Sequence, residues 1–173
     1  HPLTLELLAK ARSLAGTVEA VYGGADADAV AGPLGAHGAT KVLSTGDLGG
    51  SLPGVPVASA IAKAVADGNG PDLIMFGTTY DGRDIAVRLS VALDKPVITN
   101  NIDLEVSGDD IVVTEPVFGG VKLVKTKFTG AGPHIALFRP KSFVAEESGG
   151  GAAAVEALEV TDAGQAKITH RHV

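Results

Sequence analysis

The stretch that decides the fold reads DLIMFGTTYDGRDIAVRLSVALDKPVITN over residues 72–100. It opens with a continuous apolar run at residues 73–76, a pattern typical of a parallel strand that is covered on both faces. A helical period begins at Arg83, and Lys95-Pro96 ends that helix before residues 97–99 start a second strand. The stretch therefore predicts a strand, loop, helix, strand unit, with both strands parallel, buried and flanked by helices on both faces.

The loop between the first strand and the helix is the first candidate binding site. It follows the carboxyl end of a strand and precedes a helix, where ligands bind in open α/β sheets and free N–H groups attract anions. Its candidate nucleotide-binding residues are Gly77, Thr78, Thr79, Gly82 and Arg83, with Asp81 as the candidate helix N-cap. The loop lacks a GxGxxG fingerprint and a P-loop lysine, so an ordinary capped helix start is the simpler interpretation.

The composition argues against several classes of function. The 173-residue chain has a net charge of -6, and its lysines at Lys122, Lys125 and Lys127 are scattered, which argues against nucleic acid or an anionic membrane as a partner. It has no cysteine, so disulfides and thiolate chemistry are excluded. No apolar run is long enough to span a bilayer, which predicts no membrane insertion and a cytoplasmic or organelle-matrix location.

Helices and strands alternate along the first part of the chain. The patterns predict a helix from Pro2 that ends at Gly16, and then a series of further elements: a strand at 17–22, a helix at 26–37, a strand at 40–44, a glycine-rich connection at 46–54 and a helix at 57–67. This rhythm is typical of a doubly wound, mostly parallel, Rossmann-like sheet of the adenine-nucleotide hydrolase type, but its first strand is missing. We therefore expect a gap beside the strand at 73–76, which another strand fills in the complete molecule.

The rhythm changes after Asn100. Four strands joined by short turns are predicted as an added antiparallel ribbon, at residues 102–106, 110–116, 120–128 and 134–138. Residues 148–151 read Ser-Gly-Gly-Gly, which predicts a flexible linker. The expected organisation is an α/β domain over residues 1–147, with residues 148–173 as the linker and the start of a further domain. Short strand-like pieces are predicted there at 155–160 and 167–173.

No constellation of catalytic residues stands out, and the chain is not expected to be an enzyme. It has no GxSxG elbow, and none of its histidines has a telling carboxylate spacing. His170 and His172 would lie on one face of a strand and could chelate a metal with a third ligand, although a solvated terminal strand is the simpler interpretation. No metal site is therefore predicted.

The order of several motifs resembles the amino-terminal domain of the electron transfer flavoprotein alpha subunit. The matching segments are Gly77-Thr78-Thr79, Gly82-Arg83-Asp84, Arg88-Leu89, PVITN at 96–100, EPVFGG at 115–120 and RPKSF at 139–143. In that family a TTxxG(K/R) loop opens the corresponding helix and an RPxxF element closes the sheet. The family also begins with a strand ahead of the first helix, which this sequence lacks.

The resemblance implies a function for the full-length protein. Such proteins carry FAD, accept electrons from dehydrogenases such as acyl-CoA dehydrogenases in fatty acid β-oxidation, and pass them to the respiratory chain through a quinone oxidoreductase. The family's flavin site lies in a carboxyl-terminal domain with an SGxxQH stretch that is absent here, so no FAD is expected in this fragment. Its implied roles are to pair with the beta subunit and to scaffold the heterodimer, in the bacterial cytoplasm or the mitochondrial matrix.

The resemblance also bears on the strand-end loop. In the related beta subunit the loop matching residues 77–83 helps hold AMP, whereas alpha subunits generally do not use it, so the loop is expected to be vestigial. The alternative function is a free-standing nucleotide-binding domain of the universal-stress-protein type, which would use the same loop. In either case Arg83 is poorly matched to the helix dipole, and we expect a carboxylate or a partner chain to offset its charge.

Overall fold

The structure is a computed structural model that describes residues 1–170 and residue 172. Its helices are α1 (Pro2–Arg12), α2 (Asp28–Ala36), α3 (Gly54–Ala66) and α4 (Tyr80–Leu93). Its strands are β1 (Glu19–Tyr22), β2 (Lys41–Ser44), β3 (Leu73–Gly77), β4 (Val97–Asn101), β5 (Asp103–Ser107), β6 (Asp110–Val117), β7 (Lys122–Lys127), β8 (His134–Phe138) and β9 (Ala154–Ala157). Each predicted helix is present, with bounds shifted by a few residues. No helix within the described residues has the length and apolar content that crossing a membrane requires.

The strands form three sheets of three strands each. Two are parallel, with the orders β1-β2-β9 and β3-β8-β4, and the third is antiparallel, with the order β5-β6-β7. The third sheet is the predicted ribbon, with Gly108 in the left-handed region at its first turn (φ 61°). The α/β class with mostly parallel strands and an added antiparallel ribbon is therefore confirmed.

The placement of β8 corrects the predicted strand order. Residues 134–138 were expected to belong to the ribbon, but β8 pairs in parallel with both β3 and β4. Ile135 and Phe138 are completely buried, as befits a central strand. Since β8 takes the centre, β3 and β4 lie at the edges of this sheet, only half-buried, with Thr99 exposed. Their parallel direction was predicted correctly, but their full burial was not.

Different elements cover the two faces of the sheet β3-β8-β4. On one face α3 and α4 pack through Ile61 and Leu89 against Ile135 and Leu137. The opposite face meets Leu3 and Leu7 of α1 together with ribbon residues such as Leu104 and Val113. Helices were expected on both faces of this sheet. The first face is covered by helices, whereas the second face is covered by α1 and the ribbon together.

A gap separates the two parallel sheets. Within the described residues β1 pairs only with β2, and β3 pairs only with β8. Helix α1 extends across both sheets, because Leu8 packs in the cluster beside β1 while Leu3 packs in the cluster beside β3. The predicted gap beside β3 is therefore confirmed, and the strand that would fill it stays a prediction.

The segment predicted as a flexible linker is docked on helix α2. The Ser148 N–H donates to the Ala36 carbonyl at 2.6 Å, and the Ala153 N–H donates to the Ala31 carbonyl at 3.0 Å. Beyond it, β9 pairs in parallel with β2, at the place where a strand over 155–160 was expected. The glycine-rich composition was interpreted as flexibility, but glycine also permits close backbone packing. This segment packs closely against α2 in that way. The domain boundary after residue 147 stays a prediction.

Ion pairs reinforce the docking of β9. The Lys41 Nζ lies 3.0 Å from a Glu156 carboxylate oxygen and 3.4 Å from one of Glu19, so it connects all three strands of the first sheet. The hydrogen bond with Glu156 is the main cause that raises the pKa of Lys41 above its ordinary value. Of the strand predicted at 167–173, only a bridge between Lys167 and Ser51 is present, and residues 171 and 173 lie outside the described residues.

The gap between β1 and β3 can be tested by supplying a strand. We expect an amino-terminal extension that carries a short β-branched apolar strand and a flexible linker to raise the free energy of unfolding by at least about 1 kcal/mol, because it pairs exposed backbone groups. Hydrogen exchange should slow at amides of β1 and β3. The control is the same extension with a central proline, which cannot donate to a ladder. Equal effects of both extensions, or slow exchange at these edges before any extension, would contradict the prediction.

Two glycines of α2 form a matched pair that tests the docked segment. A Cβ at Gly35 would overlap the Gly151 carbonyl oxygen and lie 2.6 Å from the Ala153 nitrogen, whereas a Cβ at Gly32 would meet nothing within 4 Å. Gly32→Ala should change the free energy of unfolding by less than about 0.5 kcal/mol, because the gain in helix propensity is opposed by the steric restriction that Pro33 places on the residue before it. Gly35→Ala should destabilise the chain by about 1 kcal/mol or more and speed proteolysis at residues 148–157. Chemical denaturation and timed proteolysis measure both, and equal effects of the two variants would show that the segment does not press on α2.

Candidate functional site

The loop between β3 and α4 is a closed helix start. The hydroxyl oxygen of Thr79 accepts a hydrogen bond from the Gly82 N–H at 3.0 Å, while the Thr78 N–H donates to the Phe138 carbonyl at 2.9 Å. The N-cap is therefore Thr79 and not Asp81. Thr79 has the extended backbone that a cap requires (φ -82°, ψ 167°), whereas Asp81 already lies in the first helical turn.

Both glycines of the loop are explained by close packing. A Cβ at Gly77 would overlap the side chain of Leu3 in α1, and a Cβ at Gly82 would overlap the Gly77 carbonyl oxygen. The Gly82 N–H and the two glycines thus serve the helix start and its contact with α1. Of the candidate nucleotide-binding residues, Gly77, Thr79 and Gly82 have these structural roles, and a nucleotide role for the loop stays a prediction.

The other two loop candidates, Thr78 and Arg83, face an open cavity of about 810 Å³. It lies at the carboxyl ends of β3, β8 and β4, on the outer side of α4. Apolar side chains line part of it, namely Ala86, Val87, Val97, Leu137 and Pro140. Polar side chains make up the rest, namely Thr78, Arg83, Thr99, Asn100 and Arg139. The cavity thus combines apolar walls with a few polar groups, an arrangement typical of small-molecule sites.

Two arginines reach this cavity from separate elements. Arg83 lies in the first turn of α4, and Arg139 follows the last residue of β8. The Arg139 Nε donates to the Asn100 Oδ1 at 2.6 Å, and Asn100 has a left-handed backbone (φ 66°). By contrast Arg88, which is on the same helix as Arg83, pairs with Asp84 at 2.9 Å.

The expected carboxylate partner of Arg83 is not found within the described part of the chain. None of the ion pairs there includes Arg83 or Arg139. The second half of the expectation, a partner chain that offsets the charge, stays a prediction. Sequence reasoning missed Arg139 and Asn100 as site residues. The apolar run at residues 134–138 could have indicated a strand of the parallel sheet, and Arg139 would then have been placed at the carboxyl end of that strand.

The histidines do not assemble a metal site in the described residues. The rings of His170 and His172 lie edge to face at 4.3 Å, but no group of three metal-ligating side chains is present among the residues that the structure describes. His134 stacks on Phe128 with ring centroids 4.6 Å apart at the start of the central strand β8.

Fold and site together define a Rossmann-like α/β domain with an antiparallel ribbon and a basic cavity at the carboxyl ends of its second parallel sheet. A family model described as "Electron transfer flavoprotein domain" matches residues 1–163, and the chain belongs to the electron transfer flavoprotein family. This confirms the resemblance that the sequence motifs indicated.

Individual relatives agree with the family match. The chain is 30% identical over 148 residues to the electron transfer flavoprotein subunit alpha of Bacillus subtilis. The aligned region covers 84% of this chain and 45% of the relative. It is 30% identical over 164 residues to the protein of the same name from Syntrophomonas wolfei, with 93% and 51% covered. Protein FixB of Rhizobium meliloti is 28% identical over 153 residues, with 81% and 42% covered. The chain spans about half the length of the curated relatives it matches.

The capping role of Thr79 leads to a prediction about stability. Thr79→Ala should lower the free energy of unfolding by about 1 kcal/mol, because the Gly82 N–H loses its partner, and Thr79→Ser should restore most of the loss. The neighbouring Thr78→Ala is the control, since no hydrogen bond of the Thr78 hydroxyl is present in the described residues, and it should change stability by less than about 0.5 kcal/mol. Urea denaturation measures all three, and equal losses at the two threonines would contradict the assignment of the cap.

Proposed function

We propose that this chain is part of an electron transfer flavoprotein that carries electrons from dehydrogenases, such as acyl-CoA dehydrogenases, to the respiratory chain through a quinone oxidoreductase. The observation that carries the proposal is the family match over residues 1–163, supported by relatives named as alpha subunits. The chain acts as a subunit of an electron carrier and not as an enzyme. It serves fatty acid β-oxidation in the bacterial cytoplasm or, in a eukaryote, in the mitochondrial matrix.

The flavin of this carrier is FAD, held outside the residues described here. A dinucleotide needs backbone N–H groups for its pyrophosphate, usually at the start of a helix. In the strand-end loop of this chain the Thr78 N–H donates to the Phe138 carbonyl of β8, while the N–H groups of Gly82 and Arg83 donate to the hydroxyl and the carbonyl of Thr79. These three N–H groups are therefore not free for a pyrophosphate, which supports a flavin site elsewhere. The role of this domain is to scaffold the complex.

A beta subunit is the partner of the scaffold, and the tip of the ribbon is the surface proposed to meet it. Three apolar side chains around the turn between β6 and β7 are exposed, with Phe118 at 79%, Val121 at 81% and Leu123 at 62%. Clusters of exposed apolar side chains mark protein interfaces, and aromatic residues contribute most to their binding energy. In addition β7 is an edge strand, so its outer backbone groups are available to a partner in the described structure.

The backbone at the tip supports the same proposal. Phe118 has a left-handed backbone (φ 51°), which a bulky residue rarely adopts because its Cβ crowds the following peptide. Gly119 and Gly120 continue in the left-handed region (φ 68° and 92°). Because its ring is exposed, Phe118 contributes no packing energy to the core of this chain that would offset the backbone strain. Packing of the ring against a partner would offset it.

The alternative function, a free-standing nucleotide-binding domain of the universal-stress-protein type, has no specific observation in its favour. Its predicted loop is closed by the Thr79 cap and by the contact of Gly77 with Leu3.

Phe118→Gly tests the proposed contact with the beta subunit. Because glycine tolerates the left-handed backbone and the aromatic ring is exposed, the variant should keep or slightly raise the stability of the chain alone. Its affinity for a beta subunit from the same source organism should fall at least about tenfold, since an interface anchor is removed. Size-exclusion chromatography shows whether the complex forms, and calorimetry measures the loss.

The matched control is Val91→Ser, which removes an equally exposed apolar side chain from α4, on the opposite face of the sheet from the ribbon. It should leave the affinity unchanged. Failure of the unmodified chain to bind any beta subunit would contradict the heterodimer proposal itself. Binding that Phe118→Gly does not weaken would contradict only the assignment of the surface.

A further inference from the structure

The cavity on the outer side of α4 concentrates positive charge in an acidic protein. The chain has a net charge of -6, yet the charged side chains that line this cavity are Arg83 and Arg139 alone. No carboxylate pairs with either arginine in the described part of the chain. An anion bound in this cavity would be attracted by both guanidinium groups.

The position of Arg83 adds to this imbalance. It lies in the first turn of α4, where the helix dipole already places partial positive charge. Asp81 and Asp84 flank it, but Asp84 pairs with Arg88 at 2.9 Å and Asp81 lines a separate pocket with His1 and Gly77. The carboxylates of the same helix are therefore directed elsewhere, and Arg83 is left facing the cavity.

Arg139 is held in place before any ligand arrives. Its Nε donates to the Asn100 Oδ1 at 2.6 Å, and its backbone N–H donates to the Asn101 carbonyl at 2.9 Å. The buried Asn101 amide in turn donates to the Leu137 carbonyl at 2.9 Å, which fixes the ends of β4 and β8 against each other. The bond at Nε leaves the two terminal nitrogens of the guanidinium for a ligand. Such preorganisation reduces the entropy lost on binding.

The remaining groups define the class of ligand. Thr78 and Thr99 supply two hydroxyls, for which no hydrogen bond is present in the described residues, and Val87, Val97 and Leu137 supply apolar walls. We propose that the cavity binds a small phosphate monoester with an apolar substituent. A phosphate monoester carries about -1.5 to -2 charges at pH 7 and three acceptor oxygens, which matches two arginines and two hydroxyls better than the single charge of a carboxylate does. The site shares Thr78 and Arg83 with the strand-end loop, and it does not depend on the electron-transfer role.

The proposal is tested by titrating the chain with three probes while recording amide chemical shifts. Phenyl phosphate has both the dianion and the apolar group, inorganic phosphate has the dianion alone, and benzoate has the apolar group with a single charge. Phenyl phosphate should bind most tightly and should shift the signals of Thr78, Arg83, Thr99, Asn100 and Arg139. Absence of binding, shifts at other residues, or benzoate binding as tightly as phenyl phosphate would overturn the proposal.

Variants then separate the parts of the site. Arg83→Gln and Arg139→Gln should each weaken phenyl phosphate at least about tenfold, since each removes a charge-assisted hydrogen bond. Arg88→Gln removes the same charge from the same helix outside the cavity and should leave the affinity within about twofold, as screening of exposed charges predicts. Val87→Ser should remove most of the advantage of phenyl phosphate over inorganic phosphate. Equal losses in Arg88→Gln and Arg83→Gln would show a general charge effect and no site, and an unchanged advantage in Val87→Ser would refute the apolar wall.

Discussion

The parallel pairing of β8 between β3 and β4 is the constraint on which the second half of the structure depends. Its side chains alternate between two cores, because Ile135 and Leu137 pack beneath α3 and α4 while Ala136 and Phe138 pack beneath α1 and the ribbon. A continuous apolar run such as residues 135–138 is typical of a strand at the centre of a sheet that is covered on both faces. Once β8 is placed there, β3 and β4 must flank it and the ribbon must fold back over one face.

Asn101 joins this sheet to the ribbon. Its amide nitrogen donates to the carbonyls of Ile98 and Leu137, both at 2.9 Å, and the Ile102 N–H donates to the Thr114 carbonyl of β6 at 2.8 Å. The chain thus passes from the parallel sheet into the antiparallel one within two residues. A buried amide that bonds two carbonyls tolerates little displacement, because an unpaired carbonyl in the core costs about 1–3 kcal/mol. The register of β4 against β8, and with it the position of Asn100 at the cavity, follows from this residue.

Local patterns predicted what depends on local interactions. The helical period after Arg83, the proline that ends α4 and the glycine turns of the ribbon are decided by neighbouring residues, and the structure contains each of them. The order of strands, in contrast, does not depend on neighbouring residues. Residues 134–138 follow the ribbon in sequence, and only the contacts of α1 and α4, which are distant in sequence, decide that they leave it. The cap at Thr79 was missed for a smaller reason, since aspartate and threonine are both good caps and backbone conformation alone separates them.

In the candidate site, too, the sequence predicted only the residues whose position depends on local interactions. Thr78 and Arg83 were found because they lie beside a recognisable strand end, whereas Arg139 and Asn100 belong to strands whose neighbours could not be read from the sequence. Glycine was also ambiguous, because Gly150 was interpreted as a source of flexibility, whereas its missing side chain lets the backbone pass close to the Gly35 carbonyl. A residue type restricts what a position can do, and the surrounding contacts decide which of these roles it takes.

The central position of β8 also explains why a cavity exists at all. In a parallel sheet the carboxyl ends of neighbouring strands meet at one edge, and the loops that leave them in opposite directions open a crevice. Here β3 continues into α4 while β8 continues into Arg139-Pro140, so the two segments diverge, and Arg139 and Arg83 both line the cavity. Proline cannot extend the ladder, which keeps the crevice from being closed by a longer strand. The positive cavity is therefore a consequence of the strand order.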